Sequence, residues 1–241
     1  MQLAEATWTD ARDAETNVAA LPVGSTEQHG PHAPLGLDFL TAEAIAAEGA
    51  ARYAADYGGA AVVGPTIPVG VAEEHRDFDG TLWVSEGTFR AYVRETIASL
   101  AHHGFDRVVV VNGHGGNVAA LRECCGRISR DGDAYAVAYT WFDAIADAEF
   151  GHGGAVETSV IRHLYPELIR EDRTAAAAEG ASAGWGEWLH GTNLAYDSAE
   201  FTDSGVVGDP RSGDAAFGEE LFETAADALA ELLDAVTSRR R

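Results

Sequence analysis

The sequence predicts an α/β protein, a three-layer sandwich whose mainly parallel sheet is flanked by helices. Four short apolar, β-branched runs each end in glycine or a turn. The segments between them carry apolar residues at helical spacing. Strand and helix alternate along the chain, which favours parallel strands joined by crossover helices. With 241 residues and no linker-like segment, residues 1–241 read as a single domain.

The elements follow in order. "NVAALPVG" (17–24) is the first strand, and "TAEAIAAEGAARYAADY" (41–57) the first helix. "GAAVVGPTIPVG" (59–70) is the second strand. In "SEGTFRAYVRETIASLAHHG" the stripe Phe89, Tyr92, Val93, Ile97 and Leu100 marks a helix, with Ser85 as N-cap and Gly104 as stop. "DRVVVVNG" (106–113) is the third strand. "NVAALRECCGRISR" places Val118, Leu121, Cys125 and Ile128 on one helical face. "AYAVAYTWF" (134–142) is the fourth strand. A helix starts near Gly154 and ends before Pro166. Residues 170–212 show little periodicity, and a loop of that length is a lid, an oligomer contact or an active-site wall. Residues 214–237 form a closing amphipathic helix with Leu221, Phe222, Leu229 and Leu233 on its core face.

Composition bounds the function. At 46% hydrophobic residues the chain can build a core. The net charge is −23, and all sixteen basic residues are arginine. Such an acidic, lysine-free surface fits a protein adapted to high salt, where counterions screen carboxylate repulsion. The same charge repels nucleic-acid phosphates and argues against a nucleic-acid partner. Cys124 and Cys125 are the only cysteines, adjacent on a helix, so no disulfide framework exists and a cytoplasmic setting is expected. The first residues lack an apolar signal core, and no apolar run is long enough to span a bilayer, so no membrane association is expected.

The chemistry gathers at strand ends. Parallel sheets place their sites at the carboxyl ends of the strands. "GSTEQHG" follows the first strand and "NGHGGN" the third, so both emerge on one edge. Glu27 and His29 stand two apart, Asp38 follows a Pro-rich turn that can fold it back, and His114 arrives from the other strand. Two carboxylates and two imidazoles suit Zn²⁺, Mn²⁺ or Fe²⁺, with Asp38 as candidate bridge for a pair of ions. "NGHGGN" lacks the Lys and Ser/Thr of a Walker motif and the spacing of a dinucleotide fingerprint. Its glycines instead let the backbone approach the site closely, while Asn112 and Asn117 pin the turn. His102 and His103 suit a helix C-terminus, His163 and His190 have no site context, and His32 either supports the site or stabilises its turn.

"GSTEQHGPHAPLGLD", "EEHRDFDGT", "NGHGGN" and "HGGAVETS" occur in that order between residues 24 and 159, and together they resemble the signature blocks of the creatininase (creatinine amidohydrolase) superfamily. The composition suggests a haloarchaeal-type member. The resemblance implies a creatininase-like fold and one or two divalent metals per chain. It implies that Glu27, Asp38 and His114 hold one metal and that His29 and bridging Asp38 hold the other. It implies hydrolysis of a non-peptide or cyclic C–N bond (amide, lactam or formamide) by metal-activated water, with a small-molecule amide as substrate and a homo-oligomer, commonly a hexamer, as the assembly. His152 matches the family histidine that serves as acid/base, Glu157 joins it as a catalytic or supporting residue, and Trp141 and His75 are the substrate contacts.

The sequence also departs from the creatinine-hydrolysing members. They carry "NGHYEN", whose glutamate holds the second metal; here that position is Gly116, and the preceding tyrosine is Gly115. Their second substrate-stacking tryptophan corresponds to Ala148, and the residue before His152 is Gly151 rather than Glu. A more weakly held second metal follows. Alternative readings are a formamide hydrolase of archaeal flavin and deazaflavin synthesis, with Arg76 a candidate for its substrate's phosphate, and a mycofactocin-type peptide-trimming enzyme. From a different class comes a non-catalytic metal-binding assembly protein, against which the presence of His152 speaks.

Overall fold

The computed structural model describes residues 1–145 and 150–239. Its helices are α1 (Trp8–Arg12), α2 (Leu37–Tyr57), α3 (Glu86–His102), α4 (Val118–Asp131), α5 (Ala155–Leu164), α6 (Thr174–Glu179) and α7 (Ala215–Thr237). The strands β1 (Val18–Val23), β2 (Val62–Val63), β3 (Arg107–Asn112) and β4 (Tyr135–Thr140) form one parallel sheet in the order β2-β1-β3-β4. The α/β sandwich expected from the alternation is therefore present.

Both faces of the sheet are covered, and strand alternation decides which residue goes where. Val18, Ala20, Val109 and Val111 face a core completed by α2 and α7, through Ile45, Ala46, Leu229 and Leu233. Ala19, Leu21, Val23, Val108 and Val110 face the opposite core, built with Phe89, Val93 and Ile97 of α3 and Leu121 and Cys125 of α4. Both cysteines are buried here, as small apolar residues. Arg52 on α2 pairs with Glu48 and, across the α2–α7 seam, with Glu223 and Asp227.

Two elements differ from the expectation. The second strand shrinks to Val62–Val63, with further isolated bridges from Gln2 to Val63 and from Val23 to Ile67. Pro65 and Pro68 lie in this run and have no N–H for a sheet ladder. Helix α2 begins at Leu37 rather than 41, which puts Asp38 in its first turn. A carboxylate there is favoured by the positive end of the helix dipole. The 170–212 stretch carries α6 and a small hairpin, Trp188–Leu189 paired with Thr192–Asn193, and otherwise lacks regular strands or α-helices.

Candidate active site

The site lies where the carboxyl ends of β1 and β3 meet the first turn of α2. Close backbone packing fixes this junction. A Cβ on Gly113 would lie 2.2 Å from the carbonyl oxygen of Asp38, and one on Gly24 would lie 2.4 Å from the Phe39 nitrogen. Asn117 donates to the Gly24 carbonyl at 3.1 Å and accepts from Val71 N–H at 3.0 Å. Asn112 donates to the His114 carbonyl at 2.8 Å. Both asparagines thus pin the turn, as their place in "NGHGGN" suggests.

The structure brings Glu27, His29, Asp38 and His114 together, each at most 4% exposed. His114 Nδ1 lies 3.1 Å from Glu27 Oε2 and 3.3 Å from Asp38 Oδ2. Its Nε2 donates to the Val71 carbonyl at 2.6 Å, which turns Nδ1 towards the two carboxylates. His29 is set in the same way: Nδ1 donates to the Glu27 carbonyl at 3.2 Å, and Nε2 points at Asp38 Oδ1, 3.1 Å away. Glu157 Oε2 stands 3.9 Å from that nitrogen.

Charge in this cluster is strongly perturbed. Burial drives Glu27 up, and the neighbouring His114 pulls it partly back. Burial opposes a cationic His29, but the Asp38 and Glu157 carboxylates outweigh it and hold His29 at about 9. His114 is raised well above the usual imidazole range by Glu27 and Asp38, again against burial. Asp38 falls to about 2 despite burial, because both imidazoles stabilise its charge. Burial raises Glu157 to about 7. Without another cation, protons on His29 and His114 supply the compensating charge.

A divalent ion fits this set. Both oxygens of Glu27, His29 Nε2 and Asp38 Oδ2 are buried with no hydrogen-bond partner, a costly arrangement unless something binds them. Glu27, Asp38 and His114 each offer one ligand atom within 4.8 Å of one another, and so do His29, Asp38 and Glu157. Glu27, His29 and His152 form a third, overlapping group.

His152 closes the site from the start of α5. Its Nε2 donates to the Gln28 carbonyl at 2.7 Å, which leaves Nδ1 facing Glu27 Oε1 at 3.9 Å. Burial, and then the nearby His29 and His75, push its pKa well below the ordinary value, so the ring is neutral. His75, expected at the substrate, stacks on His152 with centroids 4.4 Å apart and places Nε2 3.5 Å from Glu27 Oε1. Gln28 ties the pair together: its amide donates to the Gly205 carbonyl at 2.9 Å and to His75 Nδ1 at 2.9 Å. His32 bonds Thr158 Oγ1 at 2.9 Å, bracing the β1–α2 loop against α5. His102 and His103 end α3.

A cavity of about 780 Å³ opens over these groups. Glu27, His75, His114, His152 and Glu157 reach it, and so do Glu74, Phe142, Phe150 and Trp185. Trp141, expected as a substrate contact, is 1% exposed and packs in the α2–α7 core, with its edge against Phe142 and Phe150. Phe142 and Phe150 stack on each other at 4.2 Å, and both line the cavity. Ala148 lies outside the described residues. Trp185 has no motif around it in the sequence, yet it packs edge-on against His75 and His152. The 170–212 stretch is thus an active-site wall: His152 and Val207 also exchange backbone hydrogen bonds of 3.0 and 2.8 Å.

Comparison with known proteins now bears on the site. The creatinine amidohydrolase family model matches residues 4–233. The chain belongs to the creatininase family. The creatininase-family chain is 36% identical over 203 residues to the mycofactocin precursor peptide peptidase of Mycolicibacterium smegmatis, covering 84% of this chain and 78% of that protein. It is 31% identical over 202 residues to the creatinine amidohydrolase of Pseudomonas putida, covering 70% and 74%. A manganese creatininase structure superposes with a TM-score of 0.76 at 25% identity over 99% of both chains, and a Zn–Zn form of a creatininase variant does so comparably. The protein is therefore a metal-dependent hydrolase acting on carbon–nitrogen bonds. Among its described residues no helix is long and apolar enough to cross a membrane.

Proposed function

We propose that this enzyme hydrolyses the amide bond of an uncharged or cationic small molecule, cyclic or otherwise non-peptide. Glu27, Asp38 and His114 hold one divalent ion, and Asp38 and His29 contribute to a second. Bound there, such ions supply Lewis acidity and lower the pKa of water towards neutrality.

The observation that carries the reading is the neutral, buried His152, with Nδ1 free and directed at the carboxylate cluster. A purely structural metal site does not require a free imidazole nitrogen at its open side. His152 Nδ1 takes a proton from the attacking water and delivers it to the departing nitrogen, which leaves a tetrahedral carbon only when protonated. Gln28 and His75 hold the ring in this tautomer and orientation. Phe142, Phe150 and Trp185 supply apolar walls, and Glu74 disfavours an anionic substrate.

A phosphorylated pyrimidine suits this cavity poorly. Arg76 is paired with Asp197 at 2.9 Å and does not line the cavity. A second reading has specific support. The cavity exceeds the needs of a small lactam, and relatives at about a third identity are peptide peptidases, so trimming of a peptide end is the competing activity.

The test is turnover of lactams, formamides and short peptides by Mn²⁺- or Zn²⁺-loaded enzyme in molar salt, before and after chelation. Cleavage of peptides alone would replace the first reading with the second. Full metal loading with no turnover of any class would leave a metal-binding assembly protein. Copies of the chain associate, in the same reading, through the exposed Trp188, Leu189 and Tyr196. A monomer by light scattering in molar salt would remove that part.

A further inference from the structure

We propose that Trp185, with the extended backbone beside it, forms a subsite for the departing half of the substrate, and that this half is a flat, apolar aromatic group carried on the amide nitrogen. The proposal rests on the amide-hydrolase reading above and deepens it, for it names the side of the scissile bond that the enzyme recognises.

A local ladder places Trp185. Val207 bridges two segments at once, antiparallel to His152 and parallel to Ser182. Beyond its two backbone bonds with His152, Ser182 N–H donates to the Val206 carbonyl at 3.0 Å and Gly208 N–H donates to the Ser182 carbonyl at 2.9 Å. A Cβ on Gly151 would lie 2.1 Å from the Val207 carbonyl oxygen, so this approach needs glycine beside His152. Trp185 stands three residues beyond Ser182. Its backbone is thereby indexed to His152 through two sets of main-chain bonds.

The ring is held at the acid/base. It stands at 78° to both the His75 and His152 rings, with centroids 5.6 and 5.9 Å away, and Phe201 packs against it at 5.3 Å. Trp188 Nε1 donates to the Trp185 carbonyl. Trp185 stays half-buried and lines the cavity. In the proposed reaction His152 Nδ1 hands its proton to the leaving nitrogen, which must come within about 3 Å of it. A substituent on that nitrogen therefore begins within reach of the indole.

The rest of the wall indicates the chemistry of that substituent. Ala183, Gly184, Val207 and Gly208 reach the cavity with Trp185, and none carries a charge. A Cβ on Gly184 would meet nothing within 4 Å, so space is open beside the indole. The next carboxylate along the chain, Asp209, accepts from Arg211 Nε at 2.9 Å and from Nη2 at 2.8 Å, which neutralises it. Such a wall favours an aromatic group, which packs on indole as it leaves water, over a charged one.

The test compares N-benzylformamide with N-methylformamide, which share the acyl half and differ in the amine. Water cleaves the C–N bond of each, giving formate and benzylamine or methylamine. With the Mn²⁺-loaded chain in molar salt, burial of the ring should raise kcat/KM for the benzyl compound about 10–100-fold over the methyl one, chiefly through KM. Trp185→Ala should collapse that ratio towards unity. Trp185→Phe should restore most of it, and Phe142→Ala should keep it. A ratio retained in Trp185→Ala, a ratio lost in Phe142→Ala instead, or a wild type without preference would each overturn the proposal. Calorimetry with the two amines separates the subsite from the reaction. Benzylamine should bind the wild type at least about 10-fold more tightly than methylamine, and Trp185→Ala should abolish the difference. That result without turnover of either formamide would remove the amide-hydrolase reading and leave Trp185 as an aromatic-amine site. Equal binding of the two amines would overturn the subsite whatever the turnover.

Discussion

Replacing His152 by Ala separates catalysis from metal binding. The side chain makes one strong buried hydrogen bond, Nε2 to the Gln28 carbonyl at 2.7 Å, and stacks on His75. Removing it leaves that carbonyl without its imidazole partner, at a cost of about 1–3 kcal/mol. Domains of this kind are stable by about 5–15 kcal/mol, so the variant should fold. The rate should suffer more. General acid–base groups contribute about 10²–10⁴-fold, which is roughly 2.7–5.5 kcal/mol of barrier at 1.36 kcal/mol per decade. Metal content should stay near wild type, because the two proposed sets use other residues. Asp38→Ala is the counterpart: it removes the shared carboxylate, so metal and activity should disappear together. The assay is kcat/KM, elemental analysis and chemical denaturation on both variants in high salt. A His152→Ala protein that loses metal would make His152 a ligand, in line with its proximity to Glu27 and His29. One that keeps full activity would end its role as acid/base.

Gly113→Ala should lower both stability and metal affinity, because the new Cβ would lie 2.2 Å from the Asp38 carbonyl and must push the start of α2 outwards; a variant with wild-type Mn²⁺ affinity would show that this contact does not position Asp38. With His29 raised to about 9 and His114 raised well above the ordinary imidazole range, the metal-free protein gains stability from both protonated imidazoles below about pH 6.5 and loses the His29 share as pH rises through 9. Metal competes with those protons, so Mn²⁺ affinity should rise between pH 6.5 and 9, and calorimetry in buffers of different ionisation enthalpy should detect proton release at pH 7. The charge of −23 predicts a melting temperature that rises from low to molar KCl, and a salt-independent value would count against adaptation to high salt.

The part of the site legible in the sequence is the part that local chain geometry controls. Glu27, His29 and His114 sit just beyond strands whose apolar runs are unmistakable, so their meeting follows from a parallel sheet. His152 and Glu157 precede or open a well-patterned helix, and their motif placed them near the chemistry. The pattern said less about Asp38, since "GLDFL" carries no cap signal and its N-cap, Gly36, makes no side-chain hydrogen bond. Gln28, Trp185 and Phe150 remained hidden for another reason. Gln28 acquires its role from partners 47, 124 and 177 residues away, and Trp185 meets His75 and His152 only because the 170–212 stretch folds back over the sheet edge. No local periodicity encodes such contacts. Trp141 and Phe142 illustrate the same limit, for adjacent aromatics at a strand end differ in which one reaches the cavity, and the packing of α7 decides it.

The charge of the site explains why a bound cation belongs to catalysis as well as to structure. Amide hydrolysis builds negative charge on the carbonyl oxygen, and the enzyme must meet it with positive charge or aimed donors. The chain has no lysine, and no arginine is among the described residues that line the cavity. His152 is neutral, with its one N–H committed to the Gln28 carbonyl. The remaining titratable groups at the cavity are Glu27, Glu74, His75, His114, Glu157 and Asp209, and four of these are acids. His75 is held at about 3 by burial and by the neighbouring His114 and His29, so it too is neutral. Only His114 keeps a positive charge here, and it does so by holding the proton that a metal would displace. Side chains of this acidic, lysine-free enzyme therefore bring no cation of their own to the developing oxyanion once His114 becomes a ligand. The same arithmetic makes a phosphate or carboxylate on the substrate unwelcome and favours a neutral or positively charged amide.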